Sequence, residues 1–250
     1  MTFRQLVPTS ITILAMVAGV LSILLTFEGI RTGNADYPYY RVSAMLIMVA
    51  MILDGLDGNV ARWLRGTSEY GAELDTYVDL TAFGIAPAVI VFAVSLQNQN
   101  PLWRVLLPTA VVVSGMVRLA RFKVKDPSRG QNGYAGLPIT ANAAWIALFV
   151  FISQASSAIS NGTTKFSLNE GWFATLFLLG IVLFIILQVT NLRYPKPTKN
   201  VALFSLCVIL VMGLLCAGLR IAIHIAFIII LLGLAYVVVG PFIHKRSNNK

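Results

Sequence analysis

An all-α, polytopic membrane helix bundle with about eight transmembrane helices is predicted by three features of this 250-residue chain. Apolar residues make up 57% of it and charged residues only 12%, against roughly 25% charged in soluble domains. Mean hydropathy is +0.79. The apolar residues gather into recurring runs of about 20, the length that crosses a bilayer. In lipid such runs must be helices or a closed barrel, and they are too continuous for the alternating pattern of barrel strands.

The expected spans, in order, are Val7 to Phe27, Val42 to Ala61, Gly71 to Val94, Leu102 to Arg121, Ile139 to Ala155, Trp172 to Thr190, Val201 to Leu219 and Ile221 to Ile243. The first has no small-residue cleavage site with a polar stretch after it, so it reads as a retained span. The short basic turn from Arg62 to Tyr70 makes the second and third antiparallel neighbours. Tyr37 to Tyr40 and Trp103 stand where an aromatic belt is expected. Gly218 and Arg220 divide the last two. No linker, low-complexity tract or repeat interrupts the chain, so residues 1–250 read as one integral membrane domain.

The net charge of +9 is carried between the apolar runs, so topology and anionic lipid explain it better than nucleic acid. With the N-terminus in the cytoplasm, the inside set is Arg4, Arg62, Arg65, Arg118, Arg121, Lys123, Lys125, Arg129, Arg193, Lys196, Lys199, Lys245, Arg246 and Lys250. The outside set is Arg31, Arg41, Arg104, Lys165 and Arg220. That is 14 against 5 of the 19 basic residues, which predicts both termini in the cytoplasm. Cys207, Cys216 and His224 lie in apolar runs and read as structural, and His244 as interfacial.

The chemistry is concentrated in one place. Of ten acidic residues, six fall between Asp54 and Asp79: Asp54, Asp57, Glu69, Glu73, Asp75 and Asp79. The four aspartates sit at or inside expected spans, where a carboxylate costs about 2.5–3.5 kcal/mol on insertion scales. Asp54, Asp57, Gly58 and Ala61 fall within an arc of about 100° on one helix. Gly71, Asp75 and Asp79 follow at i, i+4 and i+8 on the next. Two antiparallel helices therefore aim four carboxylates into one cleft. The nearby arginines are too few to neutralise them, whereas two divalent cations are enough, and all-oxygen ligation suits Mg²⁺, Mn²⁺ or Ca²⁺. Such a pair suits phosphoryl or phosphatidyl transfer. Gly58, Ala61 and Gly71 would let a ligand approach the backbone, and Arg62 could grip a phosphate. Arg118 and Arg121, three residues apart, could face the same cleft and hold a phosphate or a carboxylate. Glu69 and Glu73 read as solvated residues at the turn.

The stretch Asp54-Gly-Leu-Asp57-Gly58-Asn-Val-Ala61-Arg62, eight residues, Gly71, three residues, Asp75, three residues, Asp79 resembles the signature of the CDP-alcohol phosphotransferases, with every fixed position filled. Gly66 to Asp75, Asp79 to Pro87, Arg118 to Phe122, Gly136 to Pro138 and Asn191 to Pro195 resemble one branch of that family, the bacterial CDP-diacylglycerol–serine O-phosphatidyltransferases. Pro8-Thr9 stands where relatives often have Pro-Asn, and Thr76 where serine is common. The resemblance implies a six-helix catalytic core, here about residues 5–195, with helices at about 200–243 added. It further implies a homodimer, and two ions (Mg²⁺ or Mn²⁺) held by Asp54, Asp57, Asp75 and Asp79. Gly58, Ala61, Arg62 and Gly71 would line the site of the CDP moiety, and Asp79 would also serve as general base. The implied substrates are CDP-diacylglycerol and L-serine, at the cytoplasmic face of a bacterial inner membrane.

Two alternatives stay open at this point. The acceptor could be glycerol 3-phosphate, inositol phosphate or choline. The carboxylates could instead bind the cargo of a cation or proton transporter, although the chain has one acidic cluster and no counterpart after Gly130.

Overall fold

The computed structural model describes residues 3–34, 37–98, 100–125, 134–160, 166–194 and 201–247. Arg129, Lys165, Lys196, Lys199 and Lys250 lie outside the described residues, as do the side chains of Lys125, Cys207, His244, Lys245 and Arg246.

The chain forms an all-α bundle. Its first helices are α1 (Phe3–Thr32), α2 (Tyr39–Trp63) and α3 (Glu69–Val78). A π-helical segment, Asp79–Ile85, carries α3 directly into α4 (Ala86–Val94). Then come α5 (Pro101–Lys125), α6 (Ile139–Ile159), α7 (Gly171–Val189), α8 (Val201–Cys216) and α9 (Leu219–Ser247). Among the described residues seven spans are long and apolar enough to cross a membrane, α3 and α4 counting as the single span Glu69–Val94. The chain is a multi-pass membrane protein. The eighth expected segment, Val201 to Leu219, is helical over 16 residues. Over its described residues α8 is about 24 Å long at 1.5 Å per residue. Helix α9 follows directly, and the two pack together as a hairpin.

Side-chain size decides which faces meet. On α1 the large residues Leu14, Val17, Leu21 and Leu24 are exposed, while Thr12, Ala15, Gly19, Ser22 and Thr26 are buried. Lipid is as apolar as leucine, so small residues that allow close approach win the helix contacts. A Cβ on Gly19 would lie 2.8 Å from Ala82 Cβ, so α1 rides directly on the π-helical segment. The Ser22 hydroxyl donates to Ser43 O at 2.9 Å and ties α1 to α2.

Helix α6 forms the centre, with 78% of its spanning window buried against 22–39% for α1, α2, α5, α7 and α9. Its Phe149 ring stacks on Phe173 and Phe177, at centroid distances of 4.7 and 5.6 Å. Trp145 Nε1 donates to Phe177 O at 3.1 Å, giving the buried indole the partner it needs. At one end of the bundle two short strands, β1 (Tyr134–Ala135) and β2 (Arg193–Tyr194), pair antiparallel. Gly136 N donates to Leu192 O and Leu137 N to Leu187 O, so the entrance to α6 is fastened to the exit of α7.

Candidate functional site

The turn between α2 and α3 makes the site. Helix α2 ends with Arg65 in the left-handed region, φ 50°. Gly66 N donates to Ala61 O at 2.9 Å and Arg65 N to Arg62 O at 3.3 Å. This is a Schellman closure, with arginine where glycine is usual. A Cβ on Gly66 would stand 1.9 Å from Arg4 O, so only glycine lets the start of α1 close over the turn. Ser68 then caps α3, its Oγ accepting from Gly71 N at 3.0 Å. The reversal takes five residues, so the aspartates of α2 and α3 face each other.

Asp54, Asp57 and Asp75 each present a carboxylate oxygen within 4.8 Å of the others. Asp57 is buried, and Asp54 and Asp75 are partly buried. Asp54 and Asp75 lie at hydrogen-bond distance of one another. Three carboxylates this close, away from bulk water, repel strongly unless positive charge is placed among them. All-oxygen donors in this arrangement fit a hard divalent cation. Asp79 falls outside the triplet. It lies one turn beyond Asp75, opens the π-helical segment, and is near enough to Asp54 and Asp75 to act on both electrostatically.

A cleft of about 620 Å³, counted with its open mouth, is lined by Asp57 and Asp75 of the triplet. Pro8, Thr9 and Thr12 of α1 line it, with Asp57, Gly58, Ala61 and Arg62 of α2 and Gly71, Ala72 and Asp75 of α3. The glycines are not helix-packing contacts. A Cβ on Gly58 would meet nothing nearer than Arg62 Nη1 at 3.8 Å, and one on Gly71 only its own cap, Ser68 Oγ, at 3.1 Å. Both bare backbones face the cleft. Arg62 is exposed at its rim, where its Nη2 donates to Asn59 Oδ1 at 2.8 Å.

The two arginines of α5 part company. Arg118 is buried at 6% exposure. Its guanidinium carbon sits 5.5 Å from the Phe122 ring centroid, and its charge acts on Asp79. Arg121 turns to the foot of α7, donating to Val189 O and Asn191 Oδ1. Three residues along a helix put side chains about 60° apart, enough to send one toward Asp79 and the other to the α5–α7 junction. Glu73 pairs with Lys123 across the rim, both about half exposed, and such surface pairs contribute about 0–1 kcal/mol.

One residue of the site carries no sequence signal. Thr12 of α1 donates to Asp57 Oδ2 at 2.5 Å, with both residues buried. A threonine in an apolar run normally bonds the carbonyl four residues back, so nothing in the run predicts a partner 45 residues away.

The family model described as CDP-alcohol phosphatidyltransferase matches residues 5–175, a stretch holding every candidate residue above. Over 173 residues the chain is 34% identical to a Helicobacter pylori protein named CDP-diacylglycerol–serine O-phosphatidyltransferase, covering 68% of each. A Mycobacterium tuberculosis protein of the same name is 32% identical over 180 residues, 70% of this chain and 55% of the relative. One from Methanocaldococcus jannaschii is 28% identical over 216 residues, 84% and 87% of the two chains.

Proposed function

This chain belongs to the CDP-alcohol phosphatidyltransferase family, and on that premise we propose that it transfers the phosphatidyl group of CDP-diacylglycerol to L-serine, giving phosphatidylserine and CMP. The observation that carries the reading is the Asp54–Asp57–Asp75 triplet, with Asp57 and Asp75 lining a cleft that also exposes the bare backbone of Gly58 and Gly71 and carries Arg62 at its rim. The serine acceptor is supported by the names of the relatives.

In this reading Asp54, Asp57, Asp75 and Asp79 hold two divalent cations, Mg²⁺ or Mn²⁺. Bound there, the ions supply charge neutralisation and Lewis acidity at the pyrophosphate. Gly58, Ala61 and Gly71 admit the CDP moiety, and Arg62 holds a phosphate oxygen. Asp79 takes the proton of the serine hydroxyl. The serine oxygen forms a bond to the phosphorus bearing the lipid, and the bond from that phosphorus to the bridging oxygen breaks, releasing CMP. Arg118, buried beside Asp79, is the cation that meets the serine carboxylate or a phosphate. Arg121, which braces α7, supports that wall. The proposal extends to the whole chain: one membrane domain with its catalytic core at about residues 5–195 and the C-terminal helices as an extension. The protein would work as a homodimer, with both termini and the cleft at the cytoplasmic face of a bacterial inner membrane. The basic residues between spans favour that orientation.

The test is CMP release from CDP-diacylglycerol by purified protein with Mg²⁺ or Mn²⁺. Serine-dependent release is expected. Release with glycerol 3-phosphate, inositol phosphate or choline instead would keep the chemistry and move the acceptor. No release from folded protein, with cation flux into proteoliposomes, would replace the enzyme by a transporter. Arg118→Ala is expected to raise the KM for serine about 10–100-fold, the equivalent of one charged hydrogen bond of roughly 1.5–3 kcal/mol. An unchanged serine KM removes Arg118 from the acceptor site.

A further inference from the structure

Helix α1 supplies none of the clustered aspartates, yet its Thr12 reaches Asp57. Thr12 and Gly19 are seven residues apart and share one face of the helix. The close approach of Gly19 to Ala82 holds α1 near enough for Thr12 to meet Asp57. The Thr12 hydroxyl has a single proton and two acceptors within reach, Asp57 Oδ2 at 2.5 Å and Pro8 O at 3.0 Å. It can donate to only one at a time. The Pro8 carbonyl is the acceptor any helical threonine has, whereas the carboxylate is a charged acceptor in a dry setting, so the bond to Asp57 is the stronger. A carboxylate turns freely about its last torsion, which is broad and nearly two-fold, and an oxygen tied to Thr12 removes that freedom.

We propose that Thr12 is a positioning residue: its hydroxyl fixes the orientation of the Asp57 carboxylate so that Asp54, Asp57 and Asp75 are aligned for a divalent cation. The proposal rests on the reading of these aspartates as cation ligands. Hydrogen bonds that orient ligating groups change metal affinity about 10–100-fold when removed. Two neighbouring features agree with the assignment. Thr12 is 5% exposed and Asp57 6%, so water cannot readily replace the bond. Thr12 also lines the cleft beside Gly58 and Asp75, so its bond lies where the cation and substrate would meet.

The experiment measures Mn²⁺ binding to the purified protein in detergent without any CDP-lipid, from the signal of free Mn²⁺ in electron paramagnetic resonance. Thr12→Val keeps the shape and removes the donor, while Thr12→Ser keeps the donor. Thr12→Val is expected to bind Mn²⁺ about 10–100-fold more weakly, and Thr12→Ser within about threefold of the unaltered protein. In turnover assays Thr12→Val is expected to need proportionally more Mn²⁺ and to recover most of its kcat at saturation. Should Thr12→Val fail to fold, Thr12→Ala makes the same comparison. Wild-type Mn²⁺ affinity in the variant lacking the hydroxyl overturns the proposal, as does equal weakening in Thr12→Ser. If the unaltered protein binds no Mn²⁺, the cation reading of the aspartates fails first, and that result is distinct from a Thr12 variant matching a wild type that binds.

Discussion

Asp75→Asn is expected to reduce CMP release by about 10³-fold or more while leaving the folded protein intact. Asp75 belongs to the triplet, lies at hydrogen-bond distance of Asp54, and lines the cleft. It is thus the aspartate of α3 that meets those of α2. Asparagine has the same shape but lacks the charge a hard cation requires. Charge stabilisation by a bound cation contributes several kcal/mol, and each 1.36 kcal/mol is tenfold in rate, so losing about 4 kcal/mol of it gives roughly 10³. The effect on stability has the opposite sign. With divalent ions removed by chelation, the wild-type cluster holds mutually repelling carboxylates, and Asp75→Asn removes one of them. In chelator the variant should unfold at a temperature equal to or above that of wild type, as expected where a site is built for function at the expense of stability. Turnover near the wild-type rate would remove Asp75 from the site. Lost turnover together with a large fall in thermal stability would make the residue structural.

The parts of this fold visible in the sequence are those set by local periodicity. The helices lie where the apolar runs are, because a span in lipid must satisfy its own backbone and has few alternatives. The spacing of Asp54, Asp57 and Asp75 placed them on facing helix sides, since the turn between α2 and α3 is too short to allow any other arrangement. What escaped is set by neighbours distant in the chain. The π-helical register of Asp79–Ile85 follows no local pattern. It sits where Gly19 of α1 meets Ala82 and Ile139 of α6 meets Gly84, contacts between residues more than fifty positions apart. The parting of Arg118 from Arg121 depends on where α7 ends, and the partner of Thr12 on how closely α1 approaches. The break between α8 and α9, by contrast, is local, and falls at Ala217 and Gly218 where Gly218 and Arg220 divide the last two apolar runs.

Asp79→Asn distinguishes two roles that the aspartate signature leaves merged. A proton acceptor positioned at the reacting hydroxyl contributes about 10²–10⁴-fold, so kcat is expected to fall by that factor. Were Asp79 only a ligand, the variant would behave like Asp75→Asn, with Mn²⁺ affinity and rate lost together. The geometry separates these cases. Asp79 is outside the triplet, starts the π-helical segment, and faces the charge of Arg118. A π-helical turn widens the helix and redirects the residues at its start, and such turns recur at functional sites. Asp79 is therefore the carboxylate on which the buried Arg118, a cation that can hold an acceptor, acts. Asp79→Asn is expected to lose kcat even at saturating Mn²⁺, with its Mn²⁺ affinity lowered less than in Asp75→Asn. The fall in rate at low pH that protonation of a base produces should also disappear from its residual activity. Restoration of the rate by added Mn²⁺ would reassign Asp79 to cation binding and leave the deprotonation of the acceptor to another group.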